Sequence, residues 1–509
     1  VNTPHSVQDF IAQTAFADLP ALVARHAQLT PQRPALVDPA EQLDWAGLHA
    51  LADRVATALQ RDGLQPGDTL AVCALSSVRY AALFIGALRT GVVVVPLAPG
   101  LPADSFERMR ADAQARLLFD DAALAAWDGW LAPAGSVPRP VALQPGMALN
   151  IIYSSGTTGE PKGIVQSHGM RWAHIRRGLA YGYGPHARTL LSTPLYSNTT
   201  LVVFFPTLAF GGCVVLMPKF DAGEYLALAE RQRITHTMLV PVQYRRLLAH
   251  EDFGRRDLSA FRMKFCTSAP FPAALKAEVL SRWPGGLVEF YGMTEGGGTC
   301  ILEAHLHPHK LHTVGKPAEG SDLRLIDDEG RECAPGAVGE VVGHSAGMMT
   351  GYHAKPEATR AAEWFAPDGK RFIRTGDIGR FDSDGFLTLL DRKKDLIISG
   401  GFNLYPSDLE AMLQQHPAVA EAAVVGVPSE AWGETPVGFV VLRDGQAGDT
   451  AALLAWVNAR LGKTQRLSAL HAVAELPRSP IGKVLKRELR ERWLNGDAQA
   501  SQSRSAPEG

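Results

Sequence analysis

The sequence has few cysteines, and none stand in a pair that could grip a metal. Its five, Cys73, Cys213, Cys266, Cys300 and Cys333, are scattered without CxxC spacing. Neither a zinc site nor a disulfide framework is expected, and the thiols read as buried groups in a reducing cytoplasm. An excess of either charge is missing too. The chain has 50 Lys and Arg against 52 Asp and Glu, a formal net charge of -2, which argues against nucleic acid or an anionic membrane as the main partner. No charged-then-apolar leader opens the chain, and Asp9, Gln13 and Asp18 make its start too polar for a signal peptide. The most apolar stretch, Leu201 to Pro218, is broken by Pro206 and by Gly211-Gly212. It falls short of a membrane span and reads as core helix and strand. No internal repeat is seen. The chain does not end in Ser-Lys-Leu, so no peroxisomal address is expected, and its polar tail, residues 497–509, is expected to be disordered.

What is present is a chain of 509 residues, more than one core usually supports, so at least two domains are expected. Leu43 to Leu59 places apolar residues at helical spacing, and Asp68 to Leu75 follows a Pro66-Gly67 turn as a buried strand. The same alternation continues through Tyr80–Arg89 and Val92–Pro96, then Ala274–Trp283 and Leu287–Tyr291, which predicts layered α/β architecture with largely parallel sheets. From about Val314 the segments shorten and turn glycines multiply, predicting a β-rich subdomain. A fresh α+β pattern starts near Asp395, with a strand, the Gly400-Gly401 turn, a helix over Pro406–Gln415, a strand over Val419–Val427 and a helix over Thr450–Leu461.

One loop is built unlike a packed core. Tyr153-Ser-Ser-Gly-Thr-Thr-Gly-Glu-Pro-Lys-Gly-Ile-Val165 carries Ser154, Ser155, Thr157 and Thr158 among the glycines Gly156, Gly159 and Gly163, with Lys162 near its end. Glycines let backbone N–H groups approach an anion, hydroxyls add donors, and a lysine suits a terminal phosphate. The usual nucleotide loop requires Ser or Thr directly after the lysine, whereas Gly163 follows here. A solvated turn after the strand Leu149–Tyr153 is the alternative.

Four further motifs follow: Tyr291-Gly-Met-Thr-Glu295, Arg374-Thr-Gly-Asp377, Asp391-Arg-Lys-Lys-Asp-Leu-Ile-Ile-Ser-Gly-Gly-Phe-Asn403 and Pro480-Ile-Gly-Lys483. With the loop, and in this order, they resemble the adenylate-forming superfamily of acyl-CoA synthetases, adenylation domains and luciferases. The resemblance runs from near Leu22 to Arg490. It implies a large domain, residues 1–393, that binds ATP and a carboxylic acid, and a small mobile α+β domain, residues 394–509. ATP, Mg2+ and coenzyme A are implied as reactants and cofactor, in a cytoplasmic monomer or homodimer.

The resemblance also assigns roles. The loop from Ser154 to Gly159, with Lys162, covers the β- and γ-phosphates. Glu295 holds magnesium, Thr294 touches the α-phosphate and Tyr291 stacks on adenine. Asp377 accepts the ribose hydroxyls, assisted by Arg392. Lys483 bridges the carboxylate and the α-phosphate, easing repulsion as two anions meet. Lys394 is the pivot of a rotation between half-reactions. Gly400 and Gly401 line the pantetheine path, and Trp432 and Arg466 contact the CoA nucleotide. Tyr196, Ser197, Asn198, Ser268 and Gly292 surround the acyl group. Duller readings stand beside these: Glu295 as a turn acid, Asp377 as a helix cap, Lys483 as one surface lysine among several, and Trp432 and Arg466 as exposed residues.

Only about twenty-six residues follow Lys483, too few for a carrier domain, and the run Leu195-Tyr-Ser-Asn-Thr-Thr200 lacks the aspartate of amino-acid adenylators. A CoA ligase is therefore expected rather than a peptide-synthetase domain or a luciferase. Many relatives in the superfamily read Pro-Leu-Phe/Tyr-His where this chain has Pro194-Leu-Tyr-Ser-Asn198, so the histidine's role does not carry over. The polar run favours a small, hydroxylated or branched acid, with aryl acids, then medium- or long-chain fatty acids, as alternatives. Equally open is a capping role for Asn198 and Thr199 at a helix starting near Leu201.

Overall fold

The computed structural model describes residues 6–154, 161–399, 402–430, 432–443, 449–462, 465–479 and 483–496; the expected disordered tail lies outside them. The chain forms two compact units, one of residues 1–323 with 342–374, the other of residues 324–341 with 375–509. The domain boundary expected at 393/394 falls within the second of these units.

In the first unit the helical spacing after Leu43 becomes the helix Trp45–Arg61. It starts where the Asp44 carboxylate accepts the Gly47 N–H at 2.7 Å, and it buries Trp45, Leu48, Ala52, Val55 and Leu59 along one stripe. That stripe meets the helix Val78–Arg89, capped by Ser77 and buried along most of its length. Strands Thr69–Cys73, Val93–Pro96, Leu117–Asp120 and Ala148–Ser154 run parallel in one sheet. Five more, Arg188–Leu191, Cys213–Leu216, His236–Leu239, Met263–Cys266 and Gly286–Tyr291, run parallel in a second. Layered α/β architecture is thus observed. The apolar run from Leu201 is the end of the helix Asn198–Ala209, which contains Pro206, followed by the strand Cys213–Leu216. No helix among the described residues is long and apolar enough to cross a membrane.

After Val314 the chain is strand-rich as expected, with Asp322–Ile326, Gly339–His344, Glu363–Phe365, Arg371–Phe381 and Leu387–Arg392 broken by one short helix, Pro356–Ala361. The last part of the second unit is α+β. Its longest strands, Val419–Ser429 and Gly433–Leu442, pair antiparallel, and Ala469–Ala472 adds to the second of them in parallel. Successive residues of the first point to opposite faces: Ala422 and Val424 pack with Leu409, Leu413 and Leu453, while Ala423, Val425 and Val427 pack with Leu476 and Leu489. The helix over Thr450 ends at Asn458, short of the expected Leu461.

The contact between the two long helices is unusually close. A Cβ placed on Gly86 would lie 2.5 Å from Val55 Cβ and 3.0 Å from the Ala52 carbonyl oxygen. Gly86→Ala is therefore expected to destabilise the first unit by about 1–3 kcal/mol through overpacking, read as a lower midpoint of denaturant unfolding. An unchanged midpoint would show that the helices can move apart freely.

Candidate active site

The loop expected to hold phosphate is carried by a hairpin. Strands Ala148–Ser154 and Lys162–Ser167 pair antiparallel, with Ser154 opposite Lys162 and Tyr153 opposite Gly163. A strand–loop–strand support differs from the strand–loop–helix of the usual nucleotide loop, as the glycine after Lys162 foretold. Ser155, Gly156, Thr157, Thr158 and Gly159 lie outside the described residues. Gly163 has to be glycine: a Cβ there would meet Ile151 Cγ2 at 2.7 Å and the Tyr153 ring at 3.0 Å. The Lys162 ammonium lies 5.5 Å from the centroid of the Tyr352 ring.

Tyr291 ends the strand Gly286–Tyr291, and the chain then turns through Gly292, Met293 and Thr294 to Glu295. Glu295 Oε1 accepts the Tyr352 hydroxyl at 2.9 Å, and its carbonyl accepts the Met349 N–H at 2.8 Å. The glycines after Glu295 allow this close seating. Gly296 has φ +72, and a Cβ on it would fall 1.8 Å from the Gly347 carbonyl oxygen. The Tyr352 hydroxyl is held protonated, its pKa raised by burial and then by the Glu295 carboxylate.

Behind this loop lies a buried polar network that the sequence did not disclose. Gln166 Nε2 donates to the Thr294 carbonyl at 2.7 Å and to Asn198 Oδ1 at 3.4 Å. Arg171, 1% exposed, donates to Asn198 Oδ1 at 2.9 Å, to Asn150 Oδ1 at 3.2 Å and to Gln166 Oε1. Asn150 Nδ2 also donates to Gln166 Oε1, at 3.0 Å. Burial pushes the Arg171 guanidinium down to about 9, and no carboxylate pairs with it among the described residues.

At the expected acyl end, Ser197 is the N-cap of the helix Asn198–Ala209, its Oγ accepting the Thr199 N–H at 3.3 Å. The helix thus starts three residues before Leu201, and the cap is Ser197 rather than Asn198 or Thr199. Thr199 and Ser268 hydroxyls are hydrogen-bonded to each other, and Ser268 sits at φ +79. Ser197 and Ser268 are so joined through Thr199, while Asn198 belongs to the Arg171 and Gln166 network; half-buried Tyr196 and exposed Gly292 stand outside both.

In the second unit Asp377 and Arg392 face each other across the strands Arg371–Phe381 and Leu387–Arg392, and Arg392 Nε lies 3.1 Å from Asp377 Oδ1. The Ser479 N–H donates to the Lys483 carbonyl at 2.8 Å; Pro480 to Gly482 lie outside the described residues. Burial, then the Arg392 and Lys394 charges, push the Lys483 ammonium down to about 8, opposed by Asp377 and Asp395. Burial also lowers Lys394, whereas its neighbour Lys393 is raised by its bond to Asp328, 2.8 Å away, with Glu340 at 3.3 Å. Gly400 and Gly401 lie outside the described residues. Trp432 and Arg466 are exposed, and no hydrogen bond joins them among the described residues.

The residue missed from the sequence is Tyr352. Only the pairing of Gly351–Tyr352 with the strand after the phosphate loop, Tyr352 opposite Ile164, brings it to Lys162. Among the described residues no three His, Cys, Asp or Glu side chains cluster as metal ligands. One carboxylate beside a hydroxyl residue fits Mg2+, which takes few protein ligands and fills its octahedron with phosphate oxygens and water.

Residues 23–353 match the family described as AMP-binding enzyme, and residues 408–483 match the AMP-binding enzyme C-terminal domain. The chain is 34% identical over 487 residues to a feruloyl-CoA synthase of Amycolatopsis sp, covering 92% of this chain and 98% of that protein. It is 34% identical over 499 residues to a 2-succinylbenzoate–CoA ligase of Geobacillus kaustophilus, covering 93% and 97%. Among solved structures, ATP-bound MatB from Rhodopseudomonas palustris is similar with a TM-score of 0.83 at 28% identity, over 94% of this chain and 99% of that one. The family models take in the loop Tyr153–Val165, Tyr291–Glu295 and Pro480–Lys483, and the chain belongs to the AMP-binding enzymes, the adenylate-forming superfamily that includes the acid–CoA ligases.

Proposed function

We propose that the protein, an AMP-forming acid–CoA ligase using ATP, Mg2+ and coenzyme A, activates an oxygen-substituted carboxylic acid, a class that includes hydroxylated acids and oxygenated aryl acids. The observation that carries this choice is the orientation of Asn198. An arginine can only donate, so the Asn198 atom facing Arg171 is its carbonyl oxygen. Gln166 is fixed in the same way, because the Thr294 carbonyl can only accept. The Asn198 amide nitrogen is then a fixed donor on a partly buried side chain, with no acceptor among the described residues. At the acyl site a substrate oxygen satisfies it, whereas a plain hydrocarbon leaves it unpaired at about 1–3 kcal/mol. Relatives named for feruloyl and 2-succinylbenzoate substrates support aryl acids as members of the class. The hydroxyl of Ser197 caps its helix and adds nothing to the selection.

In this reading Lys162 and the loop before it hold the terminal phosphates, and Glu295 with Thr294 faces the metal. Bound Mg2+ supplies positive charge that offsets the triphosphate. Arg392 braces the Asp377 carboxylate, which accepts from the ribose. Lys483 brings a cation to the meeting of carboxylate and α-phosphate. The attack forms an acyl–phosphate bond and releases pyrophosphate; the CoA thiol then displaces AMP. Rotation about Lys394, at the 393/394 boundary, separates the two steps, with Gly400, Gly401, Trp432 and Arg466 on the thiol-facing side.

Two outcomes follow. A lysine lowered to about 8 is charged below that pH and neutral above it, so kcat/KM for ATP in adenylation should fall as pH rises through about 8. Lys483→Ala should remove that limb and slow adenylation about 10²- to 10³-fold, yet leave thioester formation from supplied acyl-adenylate intact. Equal loss in both half-reactions would contradict the placement of Lys483. Asn198→Asp keeps an oxygen toward Arg171 but replaces the donor by an acceptor. Discrimination in kcat/KM between an oxygenated acid and its deoxy analogue should then fall about tenfold, with KM for ATP unchanged; an unaltered ratio would remove Asn198 from substrate selection.

A further inference from the structure

Lys162 and Glu295 carry opposite charges at the same end of the site, and no ion pair joins them among the described residues. Tyr352 contacts both. Its ring face is turned to the Lys162 ammonium, 5.5 Å from the centroid, and its hydroxyl donates to Glu295 Oε1 at 2.9 Å. These are the only side-chain partners recorded for Lys162 and Glu295 among the described residues.

The backbone around Tyr352 is held on both sides. Tyr352 pairs with Ile164 on the strand that begins at Lys162. Residues 162 and 164 share one face of that strand, which brings the lysine side chain over the ring. The Tyr352 N–H donates to Thr359 Oγ1 at 2.9 Å, the His353 N–H to the Gly163 carbonyl at 2.7 Å and the Thr350 N–H to the Val165 carbonyl at 3.0 Å. The ring packs against a small cluster of Ile164, Met349 and Ile373. Filling that cluster needs only a phenylalanine; the hydroxyl is an addition aimed at the carboxylate.

We propose that Tyr352 is a positioning residue for the Mg2+–triphosphate end of the site. Its ring is a spacer that keeps the Lys162 ammonium from collapsing onto Glu295, so the lysine stays available to phosphate and the glutamate to the metal. Its hydroxyl occupies Oε1 and so fixes the carboxylate with Oε2 turned to the ligand. An ammonium and a carboxylate in contact would partly neutralise each other and weaken both functions. The proposal rests on the reading of Glu295 as the metal-facing carboxylate and goes beyond it by naming the residue that holds it there.

The test measures binding rather than turnover. For the full chain, the Kd of ATP is determined by calorimetry in Mg2+ and in EDTA, giving the factor by which metal strengthens nucleotide binding. Glu295→Gln tests the underlying reading and should abolish most of that factor. Tyr352→Phe, which keeps the spacer, should lower it about three- to tenfold while leaving the EDTA Kd and the unfolding midpoint unchanged. Tyr352→Leu, which removes the ring, should also weaken ATP in EDTA, because Lys162 then pairs with Glu295; the further change Glu295→Gln in that background should restore the EDTA Kd. If Glu295→Gln lowers the factor and Tyr352→Phe leaves it at the wild-type value, the positioning role is overturned and the Glu295 reading survives. If Glu295→Gln itself leaves the factor unchanged, both fall.

Discussion

A charge already paired with another is less available to a ligand, and parts of the candidate site respect that constraint, although Asp377 and Arg392 do pair. Lys162 and Glu295 each contact Tyr352, and no ion pair joins them among the described residues. Lys483 is crowded by Arg392 and Lys394 and stays without a salt bridge among the described residues, so that burial and like charge lower its pKa. Charges with structural duties are treated in the opposite way. Buried Lys276 is bonded to Glu289 and to the Leu311 and Thr313 carbonyls, and buried Lys264 donates to the carbonyls of Trp283, Pro284 and Gly285. A buried charge is tolerable when its partners are complete; Lys162 and Lys483 have no carboxylate in an ion pair with them among the described residues.

Arg171 is the intermediate case. It carries its charge in the interior with amide oxygens in place of a carboxylate, and each of those amides is oriented by it. One guanidinium thereby fixes Asn150 and Gln166 within the hairpin, the latter against the Thr294 carbonyl, and Asn198 at the start of its helix. Removing it would leave several buried polar atoms unpaired together, so the network behaves as a unit rather than as separate bonds. The hairpin of Ala148–Ser154 and Lys162–Ser167, the turn at Thr294 and the helix Asn198–Ala209 are tied together through it.

Much of the fold was legible in the sequence where periodicity and caps agreed. Trp45–Arg61 announced itself by its apolar stripe, and the parallel strands by short apolar runs between helices. The strand Gly433–Leu442 was not read, because it opens on Gly-Glu-Thr-Pro and Pro436 argues against a central strand. Site residues within contiguous motifs could be named, but which of them touch could not. Tyr352 meets Glu295 across 57 positions of chain, a contact made by strand pairing and invisible to local pattern. The polar run at Ser197 was ambiguous for a related reason. A hydroxyl before a helix and a hydroxyl in a pocket look alike in sequence, and only the bond from the Thr199 N–H shows that Ser197 is a cap.

The most direct test of the account is pyrophosphate release from ATP and Mg2+ with a panel of acids matched in size but differing in oxygen substitution, followed by thioester formation on adding coenzyme A. The account predicts acid-dependent pyrophosphate release that is strongest for oxygen-bearing acids, with thioester and AMP appearing once the thiol is supplied. Equal release across hydrocarbon and oxygenated acids would contradict the selection assigned to Asn198, and release without thioester formation would contradict the acid–CoA ligase activity itself.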